Sequence, residues 1–272
     1  MTDRIAVIPL IAEAWRGAAK ALMPALPWLA LLAIAAGVYS LGLRSDFGLW
    51  MPLLGALATF GAGIELSRRV YAALGTGAKG SLLPLAHANL AVYVAFLFIG
   101  FFVGFFLLIL PGILIEAAGQ YTIDADSPPA LVQEAFLAML GTPYGAMYLL
   151  VCALGTIFLL WAALRLTLFG AATAASGEAM VFRTWRWTRG AVLRLGAASL
   201  VTHVLPFAFA VAANTALHAI LPDTGPGYFI SGAAGILLLA PFFLAGHGLA
   251  AAALSRLKPA ENVAVDEAGA SG

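Results

Sequence analysis

Four side chains able to share a proton or a hydrogen bond lie inside stretches that otherwise carry almost nothing polar: His203, Asn214 and His218 in one, His247 in the next. Ionisable groups are costly in hydrocarbon, so where a stretch is this apolar they are candidates for a proton relay or a ligand contact. His203 sits roughly eight residues in from one end of its stretch and His247 about seven in from the same end of the next, so a helical rise puts both about 10–12 Å deep. Adjacent antiparallel helices would bring them level. Asn214 and His218, four residues apart, share a helix face near the opposite end. Each histidine is equally well served by a neighbouring carbonyl or hydroxyl that does no more than orient the helices. Glu65, one turn from Arg68 and Arg69, reads as an ion-pair partner rather than a working base.

The second group of candidates is basic. Glu13, Arg16 and Lys20 make one polar stripe while Ile8, Ile11, Trp15 and Leu22 fall on the other side, the pattern of a helix lying in a headgroup layer. Farther on come Arg183, Arg186, Arg189 and Arg194, with Val181, Trp185, Val192 and Leu195 on a shared helical face that Phe182 and Trp187 interrupt. A cation near a charged leaflet contributes about 1 kcal/mol. Arg16, Lys20, Arg183, Trp185, Arg186, Arg189 and Arg194 therefore read either as determinants of membrane orientation with their tryptophan belts, or as a site for anionic lipid or a partner protein.

Other chemistry is set aside on context. The string Gly75-Thr76-Gly77-Ala78-Lys79-Gly80 spells GxGxxG, but it follows an apolar run where a dinucleotide site needs a strand before it and a helix after it. Asp124, Asp126 and Glu134 could gather a divalent cation, yet carboxylates beside a proline-rich turn are ordinarily solvated, and no metal is expected. HExxH, GxSxG and Walker motifs are absent, and no acid–base pair of suitable spacing is visible, so the chain reads as non-enzymatic and without a cofactor. Cys152 is the one cysteine, which excludes an internal disulfide. The net charge of +1, with no separate basic domain, argues against a nucleic-acid partner.

These residues are positioned by elements that the composition dictates. Of 272 residues 62% are hydrophobic and 10% charged, against roughly half and a quarter in a soluble domain. Crossing about 30 Å of hydrocarbon takes around 20 apolar residues as helix, because each backbone donor and acceptor must be satisfied within its own segment. The expected fold is an all-α polytopic transmembrane helix bundle of six spans with amphipathic interfacial helices. The spans run about 22–43, 49–66, 90–115, 144–169, 195–221 and 228–254. A short surface helix is expected from Ser127-Pro128-Pro129 toward Met139. Residues 1–258 form the membrane domain, and 259–272 form a polar, disordered cytoplasmic tail. Arg4 and the run 29–37 imitate a secretory signal, but Pro9, Glu13, Arg16 and Lys20 interrupt it, so the first span is expected to be retained. With both termini in the cytoplasm, only Arg44 of the 14 Lys/Arg residues falls outside, and that bias sets the orientation.

Small residues and prolines shape the spans. Gly100 and Gly104 form a GxxxG pair, and Ser231 with Gly235 a similar one, which lets helix backbones approach closely. Pro111, Pro206 and Pro241 can kink their helices and free carbonyls. Arg16-Gly17-Ala18 recurs as Arg189-Gly190-Ala191, each after a tryptophan and before a further cation, an echo consistent with a duplication.

Arg165-Leu166, a small-residue loop with Glu178, then Trp185, Thr188-Arg189-Gly190 and Leu193 resemble the pattern of bacterial six-helix inner-membrane proteins of the YciC type. The pattern is similar also to the membrane domain attached to some glycerophosphodiester phosphodiesterases, although the chain has no soluble phosphodiesterase domain. The resemblance implies a bacterial inner (cytoplasmic) membrane protein and supplies no site residues. The functional expectation is a non-enzymatic protein of envelope organisation, whose basic helices bind membrane lipids or another membrane protein. The alternative is a small transporter or flippase for an apolar or lipid-like substrate, with His203 and His247 on its route and Asn214 and His218 farther along.

Overall fold

A computed structural model describes residues 6–44, 48–77, 82–119, 121–122, 124 and 126–258. The tail expected to be disordered, 259–272, and Lys79 of the GxGxxG string lie outside the described residues. Among the described residues there is helix and connecting turn but no strand. In chain order the helices are α1 (Val7–Leu43), α2 (Trp50–Ala73), α3 (Leu82–Ala117), α4 (Pro129–Leu140), α5 (Pro143–Arg165), α6 (Phe169–Ser176), α7 (Arg183–Trp187), α8 (Val192–Ser199), a π-helical turn (Leu200–Val204), α9 (Leu205–His218), α10 (Gly225–Leu238) and α11 (Ala240–Leu257). Five helical runs are long and apolar enough to cross a membrane: Val7–Leu43, Leu82–Ala117, Pro143–Ser176, Val192–His218 and Gly225–Leu257. The shortest has 27 residues, about 40 Å of helix against about 30 Å of hydrocarbon. The helix α2 is not among them, being diluted by Pro52, Thr59, three glycines and Glu65.

The chain divides into two compact units, one of residues 1–90 with 164–272, the other of residues 91–163. In the first, α1 is the central helix, flanked by α2, α10 and α11. It is one continuous helix of 37 residues, where the sequence suggested an interfacial helix followed by a separate span. Pro24 and Pro27 lie within it, and each removes one backbone donor without ending the helix. Its buried face is Leu10, Ala14, Ala18, Ala21 and Ala25, while Ile8 and Trp15 point outward beside Arg16. Small residues let neighbours close on it. A β-carbon on Gly232 would lie 2.6 Å from the Ala36 carbonyl oxygen, and one on Gly248 would run into the carbonyl of Ala14.

Prolines explain the two irregularities. Pro206 has no N–H to offer the carbonyl four residues back, and its ring crowds that carbonyl. The backbone opens into the π turn just before it, where the Leu205 amide bonds instead to the Leu200 carbonyl. Pro241 stands at the start of α11, where the last run breaks at Leu239 between α10 and α11.

In the second unit, Leu114, Ile115, Ala135 and Met139 form a small core joined by Tyr121, Phe136 and Tyr148. The helix α4 begins at the second proline of Ser127-Pro128-Pro129, as expected, since a missing N–H costs nothing at a first helical position. A β-carbon on Gly100 or Gly104 meets nothing within 4 Å. That glycine pair, expected to bring backbones together, therefore packs against no described helix.

Candidate functional site

The lone carboxylates of the first unit's helices are taken up internally. Glu65 accepts from Arg68 Nε at 2.6 Å and from Arg69 Nε at 2.8 Å, the ion pair that their spacing implied. Glu13 accepts from Arg256 Nη2 at 2.6 Å, which ties the first turns of α1 to the end of α11. This second pair had no signal in sequence, because its partners lie at opposite ends of the chain. The Glu13–Arg256 pair brings the start of α1 to the end of α11, and Leu74, just after α2, lies against Gly17 of α1, so the three meet at one end of the unit. Tyr71 of α2, set against Gly170, brings the start of α6 to that same end.

There the segment from Gly177 to Ala191 forms a folded strap. The single helical face expected of Val181, Trp185, Val192 and Leu195 is interrupted. In the structure α7 is five residues long, and the chain turns at Gly190, whose φ of +82° no other residue type adopts cheaply, before α8 begins. Buried hydroxyls hold the strap down. Thr184 donates to the Val181 carbonyl at 2.8 Å, the Thr188 hydroxyl lies between the Trp185 and Arg165 carbonyls at 3.1 and 3.2 Å, and the Met180 amide donates to Thr173 Oγ1 at 3.0 Å. The Arg165 guanidinium lies 5.1 Å from the centre of the Trp185 ring, and Trp187 packs onto the core of Leu10, Leu168, Leu195 and Leu249.

This anchoring leaves most of the remaining cations on the outside. Arg183 approaches Glu178 only to 3.8 Å with both side chains exposed, a surface pair that contributes little. Arg186 and Arg189 are exposed and have no acidic partner among the described residues. Arg194 is half-buried in the first turn of α8. On α1, Arg16 donates to the Ala12 carbonyl of its own helix and has no acidic partner among the described residues, and Lys20 is exposed. Phe182 and Leu193 bracket the strap at 72% and 89% exposure.

The histidines sit deeper. His247 places Nδ1 2.6 Å from the Phe243 carbonyl and Nε2 2.8 Å from Ser67 Oγ, with the Tyr71 ring 4.9 Å away. His203, in the π turn, places Nδ1 2.9 Å from Thr202 Oγ1 and its edge against Phe242. Its Nε2 lies against Gly246, so the two imidazoles come near one another, yet each bonds a different partner. Asn214 and His218 do share a face, which looks onto α10: His218 bonds Ser231, whereas Asn214 faces Gly235 and its Oδ1 is buried without a partner.

The acidic residues near α4 are not gathered. Asp124 accepts from the Ser127 hydroxyl at 2.8 Å and the Asp126 amide at 3.1 Å in a tight turn, and Glu134 accepts from Tyr121 at 3.1 Å. That carboxylate pushes the Tyr121 phenol up.

Comparison with protein-family models, with curated proteins and with solved structures finds no match. The resemblance drawn from Arg165 to Leu193 gains no support from these comparisons.

Proposed function

We propose that this is an integral membrane protein that crosses the bilayer six times and uses the basic end of its first unit to bind anionic lipid at the cytoplasmic leaflet. The observation that carries this reading is the division of charge at that end. Glu65 and Glu13 are consumed by Arg68, Arg69 and Arg256, while Arg16, Lys20, Arg186 and Arg189 are exposed and have no carboxylate partner among the described residues. Four such cations beside an anionic leaflet contribute about 1 kcal/mol each. The apolar flanks Phe182 and Leu193 suit a surface that meets acyl chains rather than water.

The sixth crossing is α2. It packs along α1, and its 24 residues extend about 36 Å. A helix that follows a spanning neighbour over that length crosses with it. The two termini then lie on one side, the side that carries the cations.

The test is native mass spectrometry of the protein extracted with its lipids. Anionic phospholipid should be retained in preference to zwitterionic lipid. The R16Q/K20Q/R186Q/R189Q variant, which changes those four exposed cations, should retain several-fold less at an unchanged melting temperature. Equal retention by the two proteins would refute lipid binding at this end.

A further inference from the structure

We propose that Arg186 and Arg189 form a clamp for a phosphate monoester at the headgroup of a membrane lipid. This clamp rests on the lipid-facing reading of the basic end and narrows it to one headgroup chemistry. The Arg189 amide bonds to the Arg186 carbonyl at 3.3 Å, so the two residues lie one turn apart and their side chains leave from neighbouring positions of one face. Each guanidinium is a planar fork of donors that meets phosphate oxygens in pairs. A phosphodiester offers two free oxygens and a single charge, which one fork satisfies. A monoester offers three free oxygens and, its second pKa being about 6, close to two charges at neutral pH. Two forks one turn apart, with no acidic partner among the described residues, match the monoester.

The surroundings strengthen this match. Arg165 is fixed beneath Trp185 at 7% exposure, within electrostatic reach of Arg189, so a third positive charge sits under the clamp. The one acid on the strap, Glu178, stands beside Arg183 instead. Thr184 and Thr188 are fully buried, so the backbone carrying the forks is already ordered and little freedom is lost on binding. Phe182 and Leu193, exposed on either side, place the phosphate donor in the bilayer rather than in solution.

The experiment uses the full chain in nanodiscs of phosphatidylcholine doped either with phosphatidic acid, a monoester, or with phosphatidylglycerol, a diester, at matched total charge. Lipid retention is read by native mass spectrometry. The wild-type protein should retain phosphatidic acid in preference. R186Q/R189Q should lower that retention at least about tenfold, the floor set by a single charge-assisted contact, with a much smaller effect on phosphatidylglycerol. R186K/R189K keeps both charges but not the forks, and should hold anionic lipid while losing the preference. Both variants alter exposed side chains, and an unchanged melting temperature confirms their folding. Equal loss of both lipids from R186Q/R189Q, or an intact preference in R186K/R189K, overturns the clamp and leaves general lipid binding standing. Failure of the wild-type protein to retain either lipid overturns both. Displacement of phosphatidic acid by inorganic phosphate, with phosphate binding in undoped discs, shows a soluble ligand and overturns the lipid assignment.

Discussion

His247 uses both of its ring nitrogens within the apolar interior. Its Nδ1 meets the Phe243 carbonyl as a donor, and in a neutral ring Nε2 is then an acceptor for the Ser67 hydroxyl. Ser67 is also 2.9 Å from the Gly63 carbonyl, so its single proton is drawn toward two acceptors. The histidine is the better claimant, because the carbonyl is already bonded within its helix. Ser67→Ala would strand Nε2 in the core, where an unsatisfied polar atom costs about 1–3 kcal/mol. The expected outcome is a fall of that size in stability, measured by thermal or denaturant unfolding in detergent. A change below 0.5 kcal/mol, ordinary for a neutral surface site, would show that the hydroxyl does not serve His247. Packed in this way by Phe242, Phe243 and Tyr71, the two histidines are held as joints between helices.

The strap and α1 show what can and cannot be inferred locally. The strap depends on one left-handed residue, Gly190, around which a β-carbon would meet nothing within 4 Å, so Gly190→Ala acts on the backbone alone. That conformation costs about 1–2 kcal/mol for a residue with a side chain. Hydrogen exchange of the strap amides should therefore quicken about tenfold, with the amides of α1 and α11 unaffected. Exchange that quickens equally in all three would mean that the strap is not a separate element. Nothing in the residue order announced it. The Thr188 hydroxyl reaches a carbonyl 23 positions away, and a stripe read at helical spacing carries no mark of the turn that breaks it. The buried face of α1 was hidden for a different reason: it is mostly alanine, which gives no contrast with an apolar surface facing lipid. The apolar runs were legible because hydrophobicity is a property of composition, and the start of α4 because two prolines permit little else. The glycines were legible as glycines but not in their use. Gly232 and Gly248 lie against α1, whereas a β-carbon on the more conspicuous Gly100 or Gly104 would meet none of the described residues.

For the molecule in its membrane, the open quantity is parity. Five apolar runs put the two ends of the chain on opposite sides, and six put them together, so the assignment of α2 decides where the basic end lies. Packing favours a crossing. A β-carbon on Gly42 of α1 would run into Pro52 at the start of α2, and Leu66 and Val70 near its other end join Ala18, Ala21 and Ala25 in one buried cluster. The two helices thus stay together over the length that α1 needs to span. In a Cys152→Ala background, single cysteines at Leu49 and Ala72, both exposed and at opposite ends of α2, should differ in reaction with an impermeant maleimide added to intact cells. Leu49→Cys should label and Ala72→Cys should not, and Asp223→Cys and Ser255→Cys, in the turn before α10 and near the end of α11, should repeat the contrast. Labelling at both ends of α2, or at neither, would make it a surface helix. Labelling of Ser255→Cys from outside would reverse the orientation, and with it the leaflet at which Arg186 and Arg189 meet lipid. Either result is visible without knowing any ligand, which makes the position of the strap independent of the chemistry proposed for it.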